Sequence, residues 1–282
     1  YGVVGEGEIV TDILLKNWGN DEKLADIPGI VIMKNGTLLF KKDIKKGYMR
    51  STAVTLSALS VENLVENISD DDVYWPMHAE RISDLNKLEI PKYEMLGDLS
   101  KYHLSDFTPP VGENQMAMIT SRGCPYTCSF CDQEVSGHNW RGINPQRTIE
   151  HMLYLKRLGI DYYYLTDDLY LVNLDDVEET AKLILSNKDL TDIKWEAITR
   201  INLVNRAAKY EVEYNGELIN LLALINKAGC VQLHVAPETG NEKLRFDSVF
   251  KKITNDEIVS SIKELKKSGI SPKLLCMIGL PG

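Results

Sequence analysis

Met116-Ala-Met-Ile-Thr-Ser-Arg-Gly-Cys-Pro-Tyr-Thr-Cys-Ser-Phe-Cys-Asp132 is an apolar, strand-like run that passes directly into a loop holding Cys124, Cys128 and Cys131. Thiolates packed into so short a loop can converge on one metal centre. Three of them are one short of the four that hold an ordinary iron–sulfur cubane. An iron left without a protein ligand is a Lewis-acidic position, by the logic that separates open catalytic metal sites from closed structural ones. Gly123 permits a tight turn before the first cysteine, and Pro125 stiffens the loop after it. Two other chemistries use the same residues. Zinc could take the thiolates with His138 as a fourth ligand, although no second Cys/His doublet follows along the chain. Cys128 and Cys131 alone make a redox Cys-x-x-Cys, which leaves Cys124 unexplained. A disulfide framework does not suit five cysteines with no apolar leader ahead of them. Cys230 and Cys276 sit in apolar runs and read as small buried strand residues.

The three-then-two spacing, with the aromatic Phe130 just before the last cysteine, resembles the cysteine loop of the radical S-adenosylmethionine (SAM) enzymes. The resemblance implies a [4Fe–4S] cluster on Cys124, Cys128 and Cys131. SAM would chelate the open iron through its amino and carboxylate groups, and reductive cleavage would release a 5′-deoxyadenosyl radical. In such an enzyme the protein's task is to bind, orient and shield.

From Gln115 onward strands alternate with helices. The strands are Met116–Thr120, Tyr162–Thr166, Lys194–Thr199, Cys230–Ala236 and Lys273–Ile278; helical spacing runs through Ile149–Leu155, Val177–Leu185, Leu218–Lys227 and Asp256–Lys267. This alternation predicts an α/β fold with a parallel sheet and right-handed crossovers. It fits the partial (β/α)6 barrel that the resemblance implies, with one unit missing. Catalytic groups in such folds collect at the C-terminal ends of strands. There the resemblance places Asp167 and Asp168 against the SAM ammonium, Arg200 on its carboxylate, and Glu238 on the ribose hydroxyls or the ammonium. Ile278 and Leu280, at the loop Gly279-Leu280-Pro281-Gly282, would pack on adenine. Blander roles compete: helix N-caps for the aspartates, surface positions for Arg200 and Glu238. Arg122 is either near the cluster or solvated. His234 reads as a satisfied core histidine, and Tyr162–Tyr164 as packing. Tyr210, Val212 and Tyr214, alternating ahead of Asn215-Gly216, suggest a short hairpin.

Ahead of this core, Tyr1-Gly-Val-Val-Gly-Glu-Gly-Glu8 leads into a helix with Ile9, Ile13, Leu14 and Trp18 at helical spacing. Two apolar runs then flank Asn35-Gly36, a hairpin signal. Residues 1–45 resemble the C-terminal part of the Rossmann-like cobalamin-binding domain that precedes one branch of radical SAM enzymes. Residues 46–112, with an acidic run at Asp70–Asp72, read as a connector, and residues 113–282 as the radical SAM core, cut short at its end. The first strands of a cobalamin domain are missing, so either the sequence is a fragment, which its ending after a strand favours, or the cobalamin module has degenerated. The 282 residues are 44% hydrophobic and 26% charged, which is globular composition, and no apolar run is long enough for a membrane span. A net charge of −9 argues against nonspecific nucleic-acid binding. An oxygen-sensitive cluster suggests the cytoplasm. The branch implies cobalamin-dependent methylation of an unactivated carbon on a small-molecule or natural-product substrate, with flavodoxin or ferredoxin as electron donor. A methylthiotransferase or oxidoreductase without cobalamin, or a zinc-stabilised binding module, are the alternatives.

Overall fold

In the computed structural model, residues 1–34, 37–40, 42–43, 75–76, 78–102, 114–132 and 135–280 are described. The Asn35-Gly36 turn, the acidic run at residues 70–72 and the Pro281-Gly282 end of the adenine loop lie outside them. The chain divides into two units: residues 1–83 with 132–136, and residues 84–131 with 137–282. The stretch read as a connector is therefore split near Ser83. Among the described residues no helix is long and apolar enough to cross a membrane.

In the first unit, β1 (Gly2–Val3) leads to α1 (Gly7–Lys16) and α2 (Asp21–Ala25), then to β2 (Ile30–Lys34) and β3 (Thr37–Phe40). The three strands form one antiparallel sheet, and the register Lys34↔Thr37 flanks a two-residue connection as the hairpin reading requires. A second small pair joins β4 (Lys42–Asp43) to β5 (Trp75–Pro76). Helix α1 turns Val10 and Leu14 into a core shared with Leu24, Ile30, Ile32 and Ala79. Ile9 and Trp18, read as part of its apolar face, are instead exposed. Two glycines carry the packing here. A Cβ on Gly29, at φ +86°, would stand 2.7 Å from the Ala79 backbone, and Gly5 comes nearly as close. The Glu6 carboxylate accepts from the Ile82 amide at 2.7 Å, so one acid of the Gly-Glu-Gly-Glu turn serves as an internal anchor.

The second unit contains β6 (Gln115–Met118), β7 (Ser121–Arg122), β8 (Arg141–Gly142), α3 (Pro145–Arg157), β9 (Tyr162–Leu165), α4 (Leu174–Ser186) and β10 (Lys194–Thr199). It continues with α5 (Ile201–Ala208), β11 (Glu211–Tyr214), β12 (Glu217–Asn220), α6 (Leu221–Lys227), β13 (Cys230–Glu238), α7 (Glu242–Asp247), α8 (Asn255–Lys267) and β14 (Ser271–Cys276). Strands β6, β9, β10, β13 and β14 lie side by side in chain order, every pair parallel. The sheet is open, five strands of the expected barrel architecture.

Strand alternation sorts the residues by face. Tyr163, Leu165, Trp195, Ala197, Leu233 and Val235 pack into the helix-side core. The other face carries Tyr162, Tyr164, Glu196 and His234. Helix starts are set by side chains that bond the first free amides: Asn144 to Arg147, Asn173 to Asp175, Asn220 to Ala223, and Asn241 to Leu244. Thr254 and Glu257 form a reciprocal capping box on α8. Each such cap stabilises by about 1 kcal/mol. Leu218 belongs to β12, not to the following helix. There the anticipated hairpin forms, with Asn215 (φ +52°) and Gly216 (φ +80°) at its turn.

Candidate active site

The cysteine loop is closed at its base by the short β7–β8 pair, Ser121↔Gly142 and Arg122↔Arg141. Gly123 occupies the left-handed region at φ +90°, where a Cβ would stand 2.3 Å from the Asn139 carbonyl. Only glycine permits that approach. The Gly123 amide donates to the Asp168 carboxylate at 2.7 Å, and the Cys124 amide to the Gly137 carbonyl at 3.1 Å. Farther on, Ser129 donates through its amide to Val249 and through its hydroxyl to Ser248, at 3.2 and 2.5 Å. The loop is thus tied at both ends.

Cys124 and Cys128 are partly buried and Cys131 is exposed. Burial is the main cause that pushes the Cys124 thiol up; Cys131 and Cys128 add smaller upward contributions, which places both within electrostatic reach of Cys124. Among the described residues no three His, Cys, Asp or Glu side chains gather around the position of one metal ion. Three thiolates on a cubane bind three different irons and stand farther apart than ligands of a single ion. His138, the candidate fourth zinc ligand, is exposed. The donor set fits a cluster with one open iron.

At the ends of the strands the sequence-picked residues take distinct positions. Asp167 is 2% exposed and accepts four hydrogen bonds: from the Thr120 amide and hydroxyl (2.6 and 2.5 Å) and from the Ser121 amide and hydroxyl (3.1 and 2.8 Å). Its carboxylate is saturated, so the expected contact with the SAM ammonium is corrected to an anchor for the turn that leads into the cysteine loop. Nor is it a helix N-cap, since Asn173 caps α4. Burial raises it to about 6, against the downward pull of its four donors. Asp168 is exposed and is engaged by Gly123.

Arg200 is buried, which removes the surface reading. Its Nη1 donates to the Cys128 sulfur at 3.1 Å and its Nε to Asn202 at 3.1 Å, while the guanidinium lies 3.9 Å over the Tyr126 ring. Asn202 in turn donates to the Tyr126 hydroxyl at 2.7 Å. Arg200 thus reaches a cysteine sulfur, a position for which the sequence had drawn attention to Arg122.

Glu238, also buried, stands at φ +65° where the β13–β14 register shifts. That unusual backbone conformation turns its carboxylate onto Lys251, 2.7 Å away and equally buried. Lys251 was not singled out by sequence, because its only signal was a Lys-Lys pair in a loop. Beneath it the fully buried Arg245 donates to the carbonyls of Pro237, Thr239 and Ile253 and to the Asn255 side chain.

On the face of the sheet away from the helices, His234 and Glu196 form a buried pair at 2.9 Å, with the Tyr164 ring 5.6 Å from that of His234. Tyr162 bonds Glu196 and, chiefly through burial, is pushed up. His234 is thus satisfied as anticipated, and the Tyr163 hydroxyl packs onto the Met152 and Ile160 carbonyls. Ile278 and Phe130 are exposed and Leu280 is half-buried. Cys276 is exposed, not buried as its apolar neighbours suggested, because it lies on the outermost strand of the open sheet.

Comparison with known proteins gives this geometry a lineage. The chain is 26% identical over 202 residues to the uncharacterised methyltransferase PH0819 of Pyrococcus horikoshii, covering 71% of this chain and 39% of that protein. To the anaerobic magnesium-protoporphyrin IX monomethyl ester cyclase of Cereibacter sphaeroides it is 25% identical over 172 residues, 61% of this chain and 26% of that protein. The chain thus spans well under half the length of these relatives. In fold it resembles the radical SAM methyltransferase TsrM of Kitasatospora setae, with a TM-score of 0.60 at 16% identity over 99% of this chain and 46% of that one. The cobalamin-dependent radical SAM enzyme OxsB gives 0.58 at 16% identity over 75% and 30%. The family model of the radical SAM superfamily matches residues 118–282, from the end of β6 through the cysteine loop and every later strand of the sheet, and the chain belongs to that superfamily.

Proposed function

We propose that this chain carries the SAM-cleaving core of a methyltransferase that acts on an unactivated carbon with cobalamin as methyl carrier. The observation that carries the reading is the loop of three thiols pinned through Gly123 to Asp168 and touched by the buried Arg200. Bound there, the cluster and SAM would supply the one-electron chemistry that yields a 5′-deoxyadenosyl radical. The residues do the rest. Cys124, Cys128 and Cys131 hold the irons. Asp167 and Asp168 fix the loop's entry through Thr120, Ser121 and Gly123. Arg200 Nη2, which no described residue engages, is available to the SAM carboxylate, and a guanidinium suits that planar anion. Glu238, held by Lys251, is placed to accept from the ribose hydroxyls or the ammonium, and Ile278 and Leu280 offer apolar surface to adenine. The methyl-transfer half of the reading is supported by the methyltransferase among the relatives; the electron would come from a flavodoxin or ferredoxin in the cytoplasm.

A second reading, oxidation or cyclisation without methyl transfer, is favoured by the cyclase relatives. Anaerobic reconstitution of the full-length protein, with iron and sulfide counts, electron paramagnetic resonance and SAM turnover, separates these. About four irons per chain, lost in Cys128→Ala, are expected, with S-adenosylhomocysteine among the products of the methyltransferase. An intact cluster in Cys128→Ala would end the assignment. 5′-Deoxyadenosine without S-adenosylhomocysteine would favour the second reading.

A further inference from the structure

Arg200 does more than wait for a carboxylate. Its guanidinium is fixed by two contacts that need no ligand: the Tyr126 face at 3.9 Å and the Asn202 amide oxygen on Nε at 3.1 Å. Tyr126 is itself held by the Asn202 amide at 2.7 Å. The network closes on itself, and a further donor, Nη1, donates to the Cys128 sulfur at 3.1 Å. Arginine keeps its charge throughout, so the sulfur faces a permanent cation and an N–H donor together.

We propose that Arg200, positioned by Tyr126 and Asn202, sets the reduction potential of the cluster through its hydrogen bond to Cys128. This rests on the reading that the three cysteines hold a [4Fe–4S] cluster. The one-electron reduction adds negative charge that is shared onto the ligating sulfurs. A charge-assisted N–H donor at one of them binds the reduced state more strongly than the oxidised state. Its partial burial limits the screening that would weaken such an effect at the surface. The electron comes from a low-potential donor, dithionite in the experiment, and no proton moves because the guanidinium stays charged. A carboxylate bound to Nη2, which no described residue engages, would draw charge away from the sulfur and couple SAM binding to the potential.

The test is a redox titration of the reconstituted full-length protein, followed by electron paramagnetic resonance. Arg200→Gln should make reduction about tenfold less favourable, a shift of about 59 mV to lower potential for a one-electron couple. Arg200→Lys, which keeps the charge but not the planar fork, should recover only part of it. Asn202→Ala should shift the potential in the same direction at unchanged iron content, a result that loop packing alone does not produce. An unshifted potential in cluster-loaded Arg200→Gln overturns the proposal and leaves the cluster assignment standing. If that variant loads no iron, Asn202→Ala decides by the same criterion. A wild-type protein that assembles no cluster overturns both.

Discussion

The Asp167 carboxyl, lifted by burial to about 6, has an opposing partner in His151, which burial lowers to about 4 where it meets the Tyr93 hydroxyl at 3.1 Å. For Asp167 the folded value lies above the ordinary value of about 3.9. Its contribution to stability is therefore full below about pH 4 and is lost as pH rises to about 6. For His151 the folded value lies below about 6.5. That contribution is present above pH 6.5 and is lost as pH falls toward 4. Each amounts to about 3 kcal/mol, so the two nearly cancel in the intact protein. Asp167→Asn removes one of them. Relative to wild type, the variant's unfolding free energy should improve by about 3 kcal/mol between pH 4 and 6.5, read from urea denaturation of the cluster-free protein. A constant difference across that range would show that Asp167 is not raised. Residue identity was legible in the sequence and residue orientation was not. The three cysteines declare themselves by spacing, whereas nothing in Thr-Asp-Asp tells which aspartate turns inward to Thr120 and Ser121 and which reaches Gly123.

Among the elements, strand and helix alternation was readable because each strand's helix-side residues are apolar and each helix repeats at its own period. Helix starts were read less well: periodicity placed two of them late, at Ile149 and Val177, and one early, at Leu218, because it does not register the capping asparagines at positions 144, 173 and 220. The short α5 and α7 escaped, since eight and six residues give too few turns for a period to show. The segment from β13 into α8 owes its shape to a contact no period announces, the buried Arg245 spanning three carbonyls and Asn255. Arg245→Ala would leave those carbonyls without a donor, at a cost of about 3 kcal/mol or more in unfolding free energy. Hydrogen exchange should accelerate across residues 238–255, and, on the proposed role of Glu238, SAM affinity should fall because Glu238 and Lys251 lose their frame. Arg245→Lys should not rescue either effect, as one ammonium cannot replace a planar fork with several acceptors. Unchanged exchange in the alanine variant would mean that α7 and α8 shape the segment without it.

For the whole molecule the governing fact is proportion. This chain covers 39% of the methyltransferase PH0819 and 26% of the cyclase it resembles, so a corrin site need not be contained in it. Among the described residues its first unit has a core of Val10, Leu14, Leu24, Ile30, Ile32 and Ala79 beside the sheet of β1, β2 and β3. A macrocyclic ligand is held by burying most of its surface in a cleft largely formed beforehand. The proposal that cobalamin is the methyl carrier therefore predicts a difference between two proteins. The full-length protein should bind methylcobalamin, with the shifted visible bands of a protein-bound corrin and saturation near one equivalent. The 282-residue chain should bind weakly or not at all under the same conditions. Cluster assembly should be alike in both, since every cysteine of the loop lies in the chain. If a folded, cluster-loaded full-length protein leaves the methylcobalamin spectrum unchanged, cobalamin is not its carrier. The oxidative reading favoured by the cyclase relatives then becomes the better account of a site whose SAM-cleaving half is unaffected.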